Sequence, residues 1–141
     1  MRTKFPVTVH LFFFREGQIL LLRRLNTGYA DGQYSVPAGH LDGDESVIAA
    51  GLREGLEEVG VQLAPSALHF SSVMHRREDD ERVDFFFEVQ RWDGEPFNAE
   101  PEKCDDVRWF AVDALPENMA PYVRQALGNH FSAKQFDEYG W

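Results

Sequence analysis

The pattern of hydrophobic positions near the start of the chain predicts two adjacent strands. Residues Val7–Phe14 are mostly β-branched or aromatic, Gln18–Arg23 are mainly leucine and isoleucine, and Glu16-Gly17 between them is a turn signal. Strands that are apolar at successive positions, rather than at alternate ones, are typical of strands covered on both faces. We therefore expect a β-hairpin that is buried on both sides.

The rest of the chain alternates strand-like runs with two helical segments. Four further apolar runs predict strands, at Tyr34–Pro37, Leu68–His75, Val83–Trp92 and Val107–Phe110. A charged segment at residues 76–82 predicts a hairpin turn. One helix is predicted between Gly39 and Val61, and Leu115–Leu127 predicts a turn and a second helix on the other side of the sheet. This mixture indicates the α+β class, and the aromatic tail at residues 130–141 has no pattern that places it.

The segment between Gly39 and Val61 separates polar from apolar residues with a helical period. At about 100° per residue, three carboxylates fall within roughly a third of the helix circumference. They are Glu54, Glu57 and Glu58. The positions on the opposite side are Ile48, Leu52, Gly55 and Val59. We therefore expect a helix that packs one face on the core and exposes an acidic face.

The acidic face needs a partner, because three carboxylates within two turns repel one another at neutral pH. A hard divalent cation would offset this repulsion, and Mg²⁺ takes oxygen ligands, commonly one or two carboxylates together with substrate phosphates. Arg53 lies four residues before Glu57, where it can hydrogen-bond and orient a neighbouring glutamate. The competing interpretation is an ordinary solvated helix face, so the spacing of the surrounding residues decides between the two.

Length and composition indicate one globular domain, residues 1–141. The chain is 43% hydrophobic and 27% charged, and no apolar run approaches the roughly eighteen residues that suggest a membrane span. The N-terminus lacks a small-residue cleavage site, so no signal peptide is expected. A single cysteine, Cys104, excludes an internal disulfide and agrees with a reducing compartment. We therefore expect a cytoplasmic protein without membrane contact.

A net charge of −10 restricts the partners. Binding long nucleic acid requires lysine and arginine side chains that displace counterions from the phosphate backbone, so an acidic chain is a poor candidate. A small nucleotide is different, because its phosphates can arrive with Mg²⁺, whose charge inverts the electrostatics of an acidic pocket. The acidity therefore favours a small metal-bound substrate over long nucleic acid.

The charged residues and glycines around the acidic helix form a specific motif. From Gly39 the chain continues with five residues, Glu45, seven residues, Arg53-Glu54, two residues, Glu57-Glu58, one residue and Gly60. This spacing resembles the Nudix box, the signature of hydrolases that act on a nucleoside diphosphate linked to another group, and every polar and glycine position matches. The one departure is Gly55, where the family has a bulky aliphatic residue that packs the helix into the core.

The resemblance implies the Nudix fold, an α/β/α sandwich with a mixed β-sheet, as a monomer or homodimer. It implies Mg²⁺-dependent hydrolysis of a phosphoanhydride, with Mn²⁺ as a substitute cation. The window His75–Glu78 lacks the proline of ADP-ribose enzymes and the tyrosine of dinucleoside polyphosphate enzymes. A nucleoside triphosphate, oxidised or not, that is cleaved to the monophosphate and pyrophosphate is therefore the expected substrate. The alternatives are another nucleotide conjugate such as a nucleotide sugar, or a Nudix-fold nucleotide-binding module without turnover.

The resemblance also implies the residues of the site. The implied metal ligands are Glu54, Glu57, Glu58, the carbonyl of Ala38 and a fourth carboxylate, for which Glu100 is the matching position. Arg53 is expected to orient the glutamates, and Glu100 to serve as ligand or general base. Glu102, Asp105 and Asp106 remain alternatives for the Glu100 role, and the role of Glu45 remains open.

Substrate-binding residues are expected at the end of the second strand and at the start of the box. Arg23 and Arg24 end that strand. Guanidinium groups match phosphate oxygens, so Arg24 in particular is expected to hold the phosphates. Gly39 and His40 open the box and complete the set, and Gly39 permits backbone conformations that other residues cannot adopt.

Overall fold

The computed structural model describes all residues from 1 to 141 and contains eight strands and two α-helices. The strands are β1 (Val7–Arg15), β2 (Gln18–Arg24), β3 (Tyr34–Ser35), β4 (Ala38–His40), β5 (Leu68–Arg77), β6 (Glu81–Val89), β7 (Cys104–Ala111) and β8 (Phe136–Tyr139). The helices are α1 (Val47–Val59) and α2 (Pro121–Phe131), with a short 3₁₀ turn at Pro65–Ala67. Neither helix has the length and apolar composition needed to span a bilayer.

The mixed sheet is built around β1. This strand pairs in parallel with β6 over Val7–Phe13, antiparallel with β4, and antiparallel with β2 only through Phe14 and Arg15. β5 lies on the other side of β6, and β8 pairs in parallel with β5 at the end of the sheet. β2 also pairs with β3 and β7. The predicted β1–β2 hairpin is therefore confirmed, although most of β2 pairs with β7.

A helix covers each face of the sheet, as the unbroken apolar runs predicted. Successive residues of a strand point to opposite faces, so Val9 and Leu11 pack in the cluster beneath α1, whereas Phe12 packs with Val123 and Ala126 of α2. All five residues are fully buried. The chain therefore forms an α/β/α sandwich with a mixed sheet and one core on each side.

The charged segment at residues 76–82 is mostly strand, which corrects the predicted turn. Arg76 pairs with Arg82 in the β5–β6 ladder, so the two strands extend through the segment and leave residues 78–80 for the turn. The buried charge of Arg76 is tolerated because Arg76 forms an ion pair with Asp84 inside the protein. β6 in turn ends at Val89 rather than at Trp92.

Three features near the C-terminus also differ from the prediction. β7 begins at Cys104, ahead of the predicted Val107, because it continues to pair with the end of β2. α2 begins at Pro121, whose fixed φ suits a first helical turn, and continues past Leu127. The tail, which had no predicted place, forms β8 against β5. Pairing between segments so distant in the sequence is not visible in a local pattern.

α1 begins and ends with conventional caps, and its two glycines allow a close approach. The Ser46 hydroxyl accepts a hydrogen bond from the Ala49 N–H at 3.0 Å, and Gly60 ends the helix with φ 70°. A Cβ atom at Gly55 would lie 2.8 Å from Leu63 Cδ1, and one at Gly51 would lie 2.8 Å from Leu68 Cδ2. The Leu63 side chain therefore occupies the space of the aliphatic residue that Gly55 replaces.

Because Leu63 fills the space beside Gly55, a substitution at one of these positions should compensate for a substitution at the other. Gly55→Leu is expected to lower the free energy of unfolding by about 1–3 kcal/mol, because the new side chain overlaps Leu63 in a packed core. Adding Leu63→Ala opens that space, so the double variant should be more stable than the sum of the two single changes. Urea denaturation of all four chains gives the interaction energy. Additive effects would show that Gly55 and Leu63 do not share this space.

Candidate active site

An open cavity of about 510 Å³ lies beside α1, β4 and the loop that precedes β7. Its volume is in the range of small-molecule sites. The cavity brings together most of the residues singled out from the sequence, namely Arg24, Ala38, Gly39, His40, Glu54, Glu57, Glu58 and Glu100. Arg23 and Arg53 do not line it. The acidic side of α1 therefore faces a cavity instead of open solvent.

Glu54 is buried against β4, which corrects the expectation of an exposed acidic face. Its residue exposure is 7%, whereas the side chain of Glu57 is 50% exposed. The Glu54 carboxylate lies directly against Gly39, where a Cβ atom would be 2.0 Å from Glu54 Oε1. Gly39 is therefore required because the carboxylate occupies the space of a side chain.

Gly39→Ala is consequently expected to displace the Glu54 carboxylate and to lower turnover by about a hundredfold, the scale of a 1 Å misplacement in a catalytic site. Gly128→Ala is a suitable control, because Gly128 lies in α2 outside the cavity, has no positive φ, and a Cβ there meets no atom within 4 Å. Steady-state kinetics of both variants checks the prediction. Equal turnover in the two variants would contradict it.

Arg53 is the hydrogen-bonding centre behind the acidic cluster. Its guanidinium donates to Glu54 at 2.7 Å, to Glu57 at 3.4 Å and to the His40 carbonyl at 3.0 Å. Two further bonds, at 2.7 and 3.1 Å, reach the Glu45 carboxylate. The hydrogen bonds that Arg53 donates to Glu45, together with the neighbouring carboxylate charges, raise the pKa of Arg53, so it stays protonated. This geometry suits the orienting role expected of Arg53.

Glu45, whose role the sequence left open, lies behind Arg53. Its carboxylate takes the paired Arg53 bonds and also accepts the Asp42 N–H at 3.2 Å. The Arg53 hydrogen bonds lower the pKa of Glu45, so it is ionised at neutral pH. Glu45 therefore anchors Arg53 and the box loop rather than entering the cavity.

Among the three glutamates of the α1 cluster, Glu58 is the one without a cationic partner. It is half-buried, and Arg53 pairs with Glu45, Glu54 and Glu57 but not with it. The Ala38 N–H donates to Glu58 at 3.2 Å. Burial, together with the adjacent Glu54 charge, raises the pKa of Glu58 well above its usual range. An anionic Glu58 is therefore costly until a positive charge enters the site.

The backbone of Ala38 adds an oxygen to this side of the cavity. Ala38 pairs with His10 between two bonds of the β1–β4 ladder, Leu11 N–H to Pro37 and Leu41 N–H to Val7, both at 2.9 Å. In such an alternating ladder the N–H and carbonyl of Ala38 point away from β1. Since Glu58 takes the N–H, the carbonyl lies on the same edge as the acidic cluster.

These donors fit a hard divalent cation. They are all oxygens, and burial also raises the pKa of Glu54, so a cation would favour the ionised form of two crowded carboxylates. No three acidic, histidine or cysteine side chains converge closely enough to enclose a metal by themselves. Mg²⁺ commonly uses one or two carboxylates and takes its remaining oxygens from water and substrate phosphates. The donor set therefore matches a partial protein shell of that kind.

Of the four candidates for the remaining carboxylate, Glu100 alone lines the cavity. Asp105 is bound to Arg23 through bonds of 2.7 and 3.2 Å. Asp106 accepts from the Tyr34 hydroxyl and, at 2.8 Å, from Arg108. Glu102 is exposed outside the cavity. The structure thus brings Glu100 to the acidic cluster. Asp105 and Asp106 are bound to arginine side chains, and Glu102 lies outside the cavity.

The two adjacent arginines of β2 have different positions. Arg24 lines the cavity, where its guanidinium donates to the Tyr29 carbonyl at 2.8 Å and to Thr27 at 3.1 Å. Arg23 lies outside and pairs with Asp105. His40 lines the cavity on its exposed rim. The structure therefore places Arg24, but not Arg23, in the wall of the cavity.

The cavity wall also contains a buried polar network that sequence reasoning missed. Arg76 is 2% exposed and Asp84 is fully buried, and two bonds of 2.6 and 3.2 Å join them. The Arg76 guanidinium also lies 3.5 Å from the ring centre of Tyr122 and donates to the Tyr29 hydroxyl at 2.9 Å. The available signal was Asp84, which interrupts the apolar run from Val83 to Phe87, whereas Arg76 only opens the charged segment at residues 76–82.

His10, which also lines the cavity, predicts a pH dependence of stability. Burial lowers the pKa of His10 to about 4, and its Nε2 lies 2.9 Å from the Tyr122 hydroxyl. Between pH 6.5 and about 4 the unfolded chain binds a proton that folded His10 does not, so stability falls as the pH falls through this window. His10→Gln should reduce this loss by about 1–3 kcal/mol in denaturation curves. Identical pH profiles would contradict the prediction.

Comparison with known proteins identifies clear relatives. The family model described as the NUDIX domain matches residues 4–129. The chain is 35% identical over 114 residues to the NAD-capped RNA hydrolase NudC of Stutzerimonas stutzeri, covering 81% of this chain but 38% of that protein. It is 25% identical over 145 residues to the phosphatase NudJ of Escherichia coli K12, covering 96% of this chain and 92% of NudJ.

Solved structures agree with the family match. The crystal structure of a MutT NUDIX hydrolase from Burkholderia pseudomallei superposes with a TM-score of 0.83 at 28% identity, covering 90% of this chain and 98% of that one. A NUDIX hydrolase from Nitrosomonas europaea superposes with a TM-score of 0.78 at 24% identity, covering 94% and 93%. These matches confirm the sandwich architecture described above.

Proposed function

The chain belongs to the Nudix family of hydrolases, and from that membership we propose that it hydrolyses a nucleoside triphosphate, oxidised or not, in a reaction that depends on Mg²⁺. The observation that carries this proposal is Glu58. It is a crowded carboxylate without a cationic partner, beside Glu54, Glu100 and the Ala38 backbone, and it faces a cavity of about 510 Å³. A metal-bound polyphosphate supplies the missing positive charge and fits the cavity.

The protein groups have distinct tasks in this proposal. Glu54, Glu57, Glu58 and the Ala38 carbonyl would supply ligands to the cation, with water and substrate phosphates completing its shell, and the bound cation would neutralise developing charge and activate water. Arg53 orients the glutamates from behind. Arg24 donates hydrogen bonds to phosphate oxygens, with Gly39 and His40 beside it at the cavity wall. Mn²⁺ is expected to substitute for Mg²⁺, because both accept oxygen ligands.

Glu100 acts on the attacking water or completes the metal shell. As a general base, its carboxylate accepts the proton of the water that attacks phosphorus. The phosphoanhydride bond breaks, and the products are the nucleoside monophosphate and pyrophosphate. General-base catalysis of this kind contributes about 10²–10⁴ in rate, so Glu100 is the residue whose removal should affect turnover without removing the cavity.

We further propose that the protein works in the cytoplasm as a monomer or homodimer on a small nucleotide. The net charge of −10 disfavours long nucleic acid. Its single thiol, Cys104, is buried, and burial raises the pKa of that thiol, which keeps it protonated and unreactive.

A nucleotide panel with and without metal tests the function. Nucleoside triphosphates, their oxidised forms, nucleotide sugars and ADP-ribose are each incubated with Mg²⁺, with Mn²⁺ or with EDTA, and the products are separated by chromatography. We expect monophosphate and pyrophosphate from triphosphates in the presence of metal alone. Preferred cleavage of a conjugate would change the substrate class. Saturable binding without cleavage would establish a nucleotide-binding module instead.

A further inference from the structure

The loop that precedes Glu100 is attached to the end of the acidic helix. The Phe97 N–H donates to the Val59 carbonyl at 3.1 Å, and the Ala99 N–H donates to the Glu58 carbonyl at 3.2 Å. Carbonyls in the last turn of a helix have no donor within the helix, so the loop satisfies two of them. Glu58 therefore binds this loop through its backbone while its side chain enters the cavity.

Phe97 also packs on the glycine that ends the helix. Gly60 has φ 70°, and a Cβ atom there would lie 2.2 Å from the Phe97 ring. The Phe97 ring is 57% exposed, so it does not belong to the hydrophobic core. The ring contacts Gly60 at the end of α1. We infer that this contact holds the loop in place and adds little to the stability of the domain.

The side chain of Asn98 connects the same loop to Glu100. Its Nδ2 donates to the Cys104 carbonyl at 2.7 Å, and its Oδ1 accepts the Glu100 N–H at 3.1 Å. Cys104 is the first residue of β7, so Asn98 joins the backbone of Glu100 to the edge of the sheet. Pro101 follows directly and restricts the backbone of Glu100 to extended conformations.

We propose that Phe97 and Asn98 are positioning residues that set the place of the Glu100 carboxylate relative to Glu58. This inference rests on the proposed role of Glu100 as base or metal ligand. Phe97 fixes the loop on the end of α1, and Asn98 fixes the backbone of Glu100 on β7. The backbone that carries the carboxylate is thereby held between two rigid elements although it lies on a loop.

The Asn98 contact is tested with two variants and the substrate found in the panel. Asn98→Ala removes both hydrogen bonds and should lower kcat by about tenfold to a hundredfold, with KM changed by less than about twofold. Asn98→Asp retains the acceptor for the Glu100 N–H and should restore part of kcat. Unchanged kcat in Asn98→Ala, or a failure of Asn98→Asp to recover any of the loss, would overturn the role of Asn98.

The Phe97 contact has a matched control. Phe136 is 56% exposed, much like Phe97, and it does not line the cavity. Phe136→Ala therefore removes an equally exposed ring from another part of the surface. Phe97→Ala should lower kcat by about tenfold, while Phe136→Ala should leave it unchanged. An equal effect of the two variants on kcat would show that Phe97 has no positioning role.

Two further measurements separate this inference from the proposed function. If Glu100→Gln keeps wild-type turnover, the catalytic role of Glu100 fails, whereas loss of turnover in Glu100→Gln with none in Asn98→Ala and Phe97→Ala overturns the positioning inference alone. Amide hydrogen exchange tests the Asn98 contact independently of any measurement of turnover. Asn98→Ala should accelerate exchange at the Glu100 amide, and unchanged protection there would contradict the proposed contact.

Discussion

Replacing Glu58 by glutamine is expected to reduce turnover by about a thousandfold. The substitution removes a charged metal ligand, and the electrostatic contribution of a catalytic metal is several kcal/mol, with about 1.4 kcal/mol for each tenfold in rate. Glu57→Gln should also lower turnover by orders of magnitude. Its effect should be the smaller of the two, because the Glu57 side chain is 50% exposed and water can replace part of its contribution.

The same Glu58 variant should not be unstable. Burial raises the pKa of Glu58, so the ionised carboxylate opposes folding in the metal-free protein, and a neutral amide of the same shape removes that cost. Thermal melts in EDTA should show Glu58→Gln at least as stable as the wild type. Glu88→Gln, a half-buried glutamate outside the cavity, is the control for turnover. Near wild-type turnover in both Glu57→Gln and Glu58→Gln would reject the proposed site.

Glu100→Gln should have the second large effect, a loss of about 10²–10⁴ in kcat with a smaller change in KM. The amide retains the size of the side chain but cannot accept a proton from water. The three alternatives, Glu102, Asp105 and Asp106, should each matter less when converted to amides, because two are paired elsewhere and the third lies outside the cavity.

Kinetics of the four amide variants at saturating Mg²⁺ gives a direct ranking. A larger loss of kcat at any of the other three positions would move the role from Glu100 to that residue. Asp105→Asn also changes a second residue, because it removes the carboxylate that Arg23 binds. A change in that variant alone would therefore need the matching Arg23→Gln variant before it is assigned to catalysis.

The fold was predictable where local periodicity and burial agree. The unbroken apolar residues of β1 and β2 required cover on both faces, and the helical period identified α1. The position of β8 was not predictable, because a four-residue strand gains its place from pairing with a distant β5. The contact between Leu63 and Gly55 was also not predictable from the sequence, because the sequence does not show which loop residue packs against the helix.

The sequence predicted most residues of the site, but it did not predict their burial or which of them face the cavity. The helical period placed Glu54 on the acidic face, yet its burial depends on β4 crossing at Gly39. Strand alternation separates Arg23 from Arg24, but which of them faces the cavity depends on the sheet geometry. The Arg76–Asp84 pair was missed because a charged pair at the end of a hairpin resembles a solvated turn until the sheet covers it.

Binding of Mn²⁺ tests the central claim, that the carboxylates of α1 hold a catalytic cation, without depending on the substrate. The electron paramagnetic resonance signal of free Mn²⁺ is followed during titration of the wild type and of Glu58→Gln. We expect saturable binding by the wild type and at least about tenfold weaker binding by the variant, since even indirect contacts to a metal contribute this much. Equal affinity in the two proteins, or no saturable binding by the wild type, would contradict the assignment of this site.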